Sequence, residues 1–203
     1  MTTRGGDSEP PLLLCSASPR RARLLEEAGI PFERGPAPSV DETPPAGLAP
    51  ADAAEAIAVR KAKAAAARSP GRLVLAADTV VILDGAILGK PRDASDARRM
   101  LQALSGREHV VVTGVAVATG ESVVSGREET SVRFRALEGG EIDAYVATKE
   151  PLDKAGAYAI QGGAAGFVAR RVGALDNVVG LPVALVRSLL ARSPGLRAGA
   201  RGG

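Results

Sequence analysis

The chain has 203 residues, 45% of them hydrophobic and 24% charged, with a formal net charge of +3 and a single cysteine. One cysteine excludes a disulfide framework, and no run approaches the apolar length of a membrane span. Aromatic residues make up only 2% of the chain, too few for the stacking platforms of a single-strand nucleic-acid binder, so neither nucleic acid nor a membrane is expected as a partner.

Residues 1–10 read as a disordered extension without the apolar core of a secretory signal, which makes the cytoplasm the default location. Leu12–Ser16 is an expected buried strand, and Cys15 within it reads as a small core residue. A first helix follows from Pro19 to Ala28, with Ser18 as N-cap and Gly29 as its stop. The Pro-rich stretch GPAPSVDETPPAGLAP is a loop. Asp52, with Glu55 as capping-box partner, is expected to open a second helix running to Arg68.

Arg72–Leu83 reads as a strand, Asp84-Gly85 as a turn, and Ala86–Leu88 as a returning strand. A third helix is expected over Ser95–Leu104, a strand from His109 to Thr119, and a long partner strand over Ser122–Ala136. A short helix spans Gly140–Thr148. AYAI and GFVARRV read as strands around the glycine-rich QGGAAG, and a last helix runs from Pro182 to Arg192. The tail after residue 193 reads as disordered. Strands and helices alternate around at least one hairpin, so the fold class is α/β with a mixed twisted sheet and flanking helices, one domain over residues 11–193.

Four places break the local pattern. Arg20 and Arg21 sit in the first turn of a helix, where the backbone is already positive and a cation is misplaced by about 0.3–1 kcal/mol. Position alone supports two solvated arginines and an anion clamp equally, the clamp completed by Ser16, Ser18 and free backbone N–H groups. Asp78 interrupts the apolar run LVLAADTVVIL with Thr79 beside it, which favours a carboxylate kept for a metal or a proton. Lys61 shares the Ile57 face of the second helix, and spacing alone favours a stem lying past small alanines. Lys90, in ILGKPRD, can reach a phosphate as a point charge, although the segment lacks phosphate-loop spacing. QGGAAG opens no helix and is not read as a dinucleotide fingerprint. The lone His109 reads as structural. Any metal would be a hard ion on oxygen ligands, Mg2+ or Mn2+.

Taken together, CSASPRRARLLEEAGI, ADTVV with LGKP, LSGREHVVVTGVAV, and EPLDKAGAYAIQG with NVVGLP resemble the Maf family of nucleotide pyrophosphatases, in the same order and over residues 12–192. The resemblance implies an inosine-triphosphatase-like fold with two lobes around a cleft. It implies hydrolysis of a nucleoside triphosphate to monophosphate and pyrophosphate with a divalent cation, and a homodimer as a family trait. It assigns Asp78 as the catalytic carboxylate and a metal ligand. Arg21, Lys61 and Lys90 join Ser16 and Ser18 as phosphate-binding residues, and the acidic ligand from the loop after the first helix is Glu42 or Asp41. Arg20, Thr79 and Gln161 match the branch acting on dTTP and UTP, in nucleotide-pool house-cleaning. The rival readings are a non-catalytic cell-division regulator and a purine or 7-methyl-GTP pyrophosphatase.

Overall fold

The computed structural model describes residues 11–193; the two segments expected to be disordered lie outside them. Thirteen elements follow in chain order: β1 (Leu12–Cys15), α1 (Pro19–Glu27), β2 (Phe32–Gly35), α2 (Pro50–Ala67), β3 (Val74–Leu83), β4 (Ala86–Leu88), α3 (Ala94–Leu104), β5 (Glu108–Thr119), β6 (Ser122–Phe134), α4 (Gly139–Ala147), β7 (Val168–Val172), α5 (Leu175–Val179) and α6 (Val183–Ala191). Short 3-10 turns at Glu150–Asp153, Ala155–Ala157 and Ala165–Phe167 join α4 to β7.

The sheet is mixed, in the order β2-β1-β3-β5-β6-β7, with β4 folded back onto β3. β1 runs parallel to β2 and β3, and the remaining pairs are antiparallel. β3 and β5 are long because their valine-rich runs suit a pleated surface buried on both sides, whereas β6 is buried only at Thr130, Val132 and Phe134. The β1 and β4 contacts leave an interruption along one edge of β3. β1 pairs with it as far as Leu75, and β4 begins at Val81. Between them, Ala76 to Val80 have no strand partner on that side among the described residues. Asp78 and Thr79 lie in this notch.

Two hydrophobic clusters flank it. One holds Leu14, Leu25, Leu75, Val117, Leu181 and Leu189 from β1, α1, β3, β5 and the α6 end of the chain. The other holds Val81, Leu101, Leu104, Phe134, Ile142 and Phe167. The second cluster contains both tyrosines and two of the three phenylalanines of the whole chain, which is how so aromatic-poor a sequence fills that end. On the other face of the sheet α2 packs through alanines, Ala58, Ala62, Ala65 and Ala66, against Val74, Ala76 and Ala116. The approach is close: a Cβ on Gly114 would stand 2.3 Å from the Glu55 backbone nitrogen.

Two local expectations are corrected. α2 opens at Pro50 after Ala49, not at Asp52, because proline is preset for the first helical position. Asp52 pairs instead with Arg127, and Glu55 accepts from Ser125 Oγ at 2.7 Å. AYAI is not a strand: Gly156 and Ala157 take positive φ of 67° and 61°, which breaks an extended ladder before it starts. β2 and α5 were not anticipated. In β2, Gly35 is needed because a Cβ there would meet Cys15 Sγ at 2.8 Å.

Candidate active site

The notch brings together side chains from α1, α2, β3 and the loop before α2. Successive strand residues face opposite sides of a sheet, so Asp78 points toward α2 and Thr79 toward α1 and α5. Lys61, one turn and a half before the end of α2, reaches across the alanine-lined face and donates to Asp78 Oδ1 at 2.7 Å. The same ammonium lies 2.7 Å from Glu42 Oε1. The Lys61 and Asp78 side chains are 12% and 13% exposed, whereas Glu42 is 53% exposed. The aspartate thus sits near the middle of a strand because its charge is paired and the notch leaves it a path to solvent.

Glu42, rather than Asp41, supplies the loop's carboxylate to this cluster. Asp41 accepts from the backbone N–H of Thr43 at 2.8 Å, and Arg60 holds the loop by donating to the carbonyls of Asp41 and Thr43. Burial pushes the Glu42 carboxyl up, but the hydrogen bond and charge of Lys61, with the charges of Lys90 and Arg21, hold it below the usual range. Lys90 is an exposed residue of the loop after β4, and its charge therefore bears on the same cluster.

Arg21 is spent largely on the fold. It donates through Nε to Gly180 O at 2.8 Å, through Nη1 to Ala77 O at 2.8 Å and Ser16 Oγ at 3.2 Å, and through Nη2 to Thr79 Oγ1 at 3.2 Å. That leaves one N–H of the guanidinium fork uncommitted. The carbonyl of Ala77 belongs to the unpaired edge of β3, so Arg21 occupies a place a neighbouring strand would take. Thr79 Oγ1 lies 2.9 Å from Thr113 Oγ1, directly opposite it in the β3–β5 register, and Thr113 donates to Asn177 O at 2.8 Å. A carbonyl only accepts and a guanidinium only donates. The hydroxyl protons therefore run one way, from Thr79 to Thr113 to Asn177, with Thr79 accepting from Arg21.

Ser18 is the N-cap residue of α1, yet its side chain makes no cap bond; Ser16 Oγ accepts from its backbone N–H at 3.2 Å. No acidic residue sits in the first turn of α1, so its amide ends keep their positive potential. Arg20 is half-buried, with Nε enclosed and unpartnered among the described residues. Its charge bears on Tyr145 and Asp153, on the far side of the notch. Gln161 is exposed on the glycine-rich turn of that far side. The Lys90 loop is tied to the same side, since Gly156 N donates to Gly89 O at 3.0 Å.

Of the residues singled out by sequence, Ser16, Arg21, Glu42, Lys61, Asp78 and Thr79 are joined by direct contacts in two sets, one on each face of β3. Lys90 acts on Glu42 and Arg20 on Arg21 by charge, and Gln161 makes no side-chain hydrogen bond among the described residues. Sequence reasoning missed Thr113, Asn177 and Arg60. Their partners lie 34, 64 and 19 positions away, beyond any local pattern. Cys15 and His109 are core residues, 3% and 2% exposed, and His109 Nε2 pairs with the Tyr158 hydroxyl at 2.8 Å.

A divalent cation fits the donors present. Two carboxylate oxygens already converge on one cationic nitrogen, and hard cations prefer such oxygen ligands. Among the described residues no group of three or more His, Cys, Asp or Glu could enclose a metal, so a cation held here would need further oxygen ligands from outside the protein, as Mg2+ commonly does.

No helix among the described residues is long and apolar enough to cross a membrane. In comparisons with known proteins, the chain is 51% identical over 172 residues to a dTTP/UTP pyrophosphatase of Symbiobacterium thermophilum, covering 85% of this chain and 88% of that protein. Proteins of the same name from Bacillus cytotoxicus and Anaeromyxobacter dehalogenans are 52% and 50% identical, covering 87% and 91% of this chain and 93% and 94% of theirs. Among solved structures, a HAM1 protein from Coxiella burnetii is 20% identical with a TM-score of 0.44, covering 77% of this chain and 90% of that one. The family model described as Maf-like protein matches residues 11–193, and the chain belongs to the Maf family.

Proposed function

We propose that the protein is a nucleoside triphosphate pyrophosphatase acting on dTTP and UTP. The observation that carries this reading is the convergence of Lys61, Asp78 and Glu42 in an opening of the sheet edge, with Arg21 beside it. The names borne by relatives of about half-identical sequence support the substrate.

A triphosphate entering the notch meets the amide end of α1, the Ser16 and Ser18 hydroxyls, the spare N–H of Arg21, and the ammonium groups of Lys61 and Lys90. One cation–anion pair at 4 Å is worth about 4 kcal/mol at an effective dielectric of 20, before desolvation. That exceeds the dipole penalty of the first-turn arginines. Asp78 orients a water and takes its proton as the oxygen attacks the α-phosphorus. The bond between that phosphorus and the bridging oxygen breaks, and pyrophosphate leaves. Asp78 and Glu42 would hold the divalent cation, Mg2+ or Mn2+, which when bound neutralises charge on the phosphates. Arg20 and Gln161 face the nucleoside, and Gln161 can both donate to and accept from a pyrimidine edge. Thr79 contributes by fixing the orientation of Arg21. The cytoplasmic triphosphate pool is the setting this activity implies.

The test is pyrophosphate release with Mg2+ across a panel of dTTP, UTP, dCTP, dGTP, ITP and 7-methyl-GTP. Turnover concentrated on dTTP and UTP is expected. Preference for a purine or 7-methyl-GTP would move the protein to another branch of the family, and no turnover on any of them would leave the non-catalytic reading.

A further inference from the structure

The function above gives no role to the two glycines that follow Gln161, nor to Glu150. The structure explains the glycines. A Cβ on Gly162 would stand 2.0 Å from Glu150 Oε1, and one on Gly163 would stand 2.9 Å from the Tyr145 ring and 3.2 Å from Glu150 Oε2. The turn lies flat on these two side chains, so that a side chain at either glycine would have to displace the Glu150 carboxylate or the Tyr145 ring.

Both shoulders of the turn are fastened to them. Ala159 N donates to the Tyr145 hydroxyl at 3.0 Å, and Gly163 N donates to Glu150 Oε2 at 2.8 Å. These residues stand two positions before and two after Gln161. Tyr145 is itself fixed: it is 5% exposed and meets the Phe167 ring edge-on, centroids 5.4 Å apart. Burial pushes its hydroxyl pKa up, and the charge of nearby Glu150 adds to this. The phenol accordingly stays protonated and accepts from the Ala159 N–H. Glu150 is held by its own backbone, whose N–H donates to Thr148 Oγ1 at 3.2 Å, with Pro151 buried behind it. Gln161 thus projects from a clamped turn while its own side chain remains exposed.

An amide can discriminate bases only if its donor and acceptor are presented at fixed positions. A carboxylate suits the clamp because it accepts from the Gly163 N–H and offers no competing donor to the turn. We propose that Glu150, assisted by Tyr145, is a positioning residue that holds the Gln161 turn and so sets the preference for pyrimidine over purine triphosphates. This rests on the proposed pyrophosphatase function and deepens it.

The experiment measures kcat and KM on dTTP and dGTP for the wild-type protein, Glu150→Ala, Tyr145→Phe, Gln161→Ala and the Glu150→Ala/Gln161→Ala pair, with thermal melts of each. Glu150→Ala is expected to lower the dTTP-to-dGTP ratio of kcat/KM by about tenfold, mainly through KM for dTTP, while dGTP turnover falls far less. The double variant should be no less selective than Gln161→Ala alone. Should Glu150→Ala not fold, Glu150→Gln, which keeps one acceptor, and Tyr145→Phe carry the test with smaller losses in the same direction. A wild-type preference that these variants retain, an equal loss on both nucleotides, or additive losses in the double variant overturns the inference alone. A wild-type protein with no pyrimidine preference removes the proposed substrate and this inference together.

Discussion

Replacing Lys61 with methionine tests the centre of the site. Methionine keeps a long apolar stem along the alanines of α2 and removes only the ammonium. That ammonium lies 2.7 Å from both Asp78 Oδ1 and Glu42 Oε1. Without it, two carboxylates that shared one ammonium are left facing each other, and like charges this near repel by a few kcal/mol, on the order of 3, at an effective dielectric of 20. Glu42, 53% exposed, can swing into water and relieve most of this. Asp78, 13% exposed, cannot, and it loses a charge-assisted hydrogen bond worth about 1.5–3 kcal/mol. The expected loss is therefore about 2–3 kcal/mol, read from urea unfolding at pH 7.5. Repeating Lys61→Met in an Asp78→Asn background should cost at least about 1 kcal/mol less, because no charge is then stranded. A loss below about 0.5 kcal/mol, or equal losses in the two backgrounds, would refute the claim that Lys61 neutralises a largely enclosed aspartate.

Asp78→Asn is expected to cut turnover about a thousandfold while the protein still melts cooperatively, since Lys61 keeps Glu42 as a partner; a rate near normal would take Asp78 out of the chemistry. Gly114→Ala should cost about 1–3 kcal/mol and reduce activity as well, because the added carbon meets the α2 backbone at 2.3 Å and α2 carries Lys61; an unchanged melt would mean the helix has room to move. Burial lowers the His109 pKa from 6.5 to about 4, so below pH 6.5 the unfolded chain binds a proton that the native protein does not. Stability should accordingly fall between pH 6.5 and 4, by about 2 kcal/mol at pH 5 from this group. His109→Gln should flatten that part of the profile in urea titrations at pH 7 and 5, and an identical acid-side fall in the variant would assign it to other groups.

β3 and β5 were readable because their apolar runs are buried on both faces and leave few alternatives to a central position. β2 was not, since Phe32–Gly35 has no pattern of its own and is defined by its pairing with β1. AYAI was misread because its apolar content matches a strand, while the positive φ values that prevent one are set by tertiary packing. In the site, Asp78 announced itself as a charge in an apolar run. Lys61 did not, because spacing on α2 cannot show which strand residue lies beneath it. Arg21 was visible as a misplaced cation, but its use was not: Gly180 O and Ala77 O lie 159 and 56 residues away. The Glu150 clamp was equally hidden, since its glycines look like ordinary loop composition until the carboxylate under them is seen.

The interruption along β3 carries a hazard as well as an opportunity. A bare strand edge invites pairing with another copy of the chain and, through that, aggregation. Here the bare stretch runs only from Ala76 to Val80, bounded by β1 and β4, and the Arg21 guanidinium already caps its Ala77 carbonyl. A foreign strand would have to displace an enclosed arginine to gain very few ladder bonds, whereas a small polyanion needs neither length nor register. The same arginine that lines the entrance therefore also guards the strand edge against pairing.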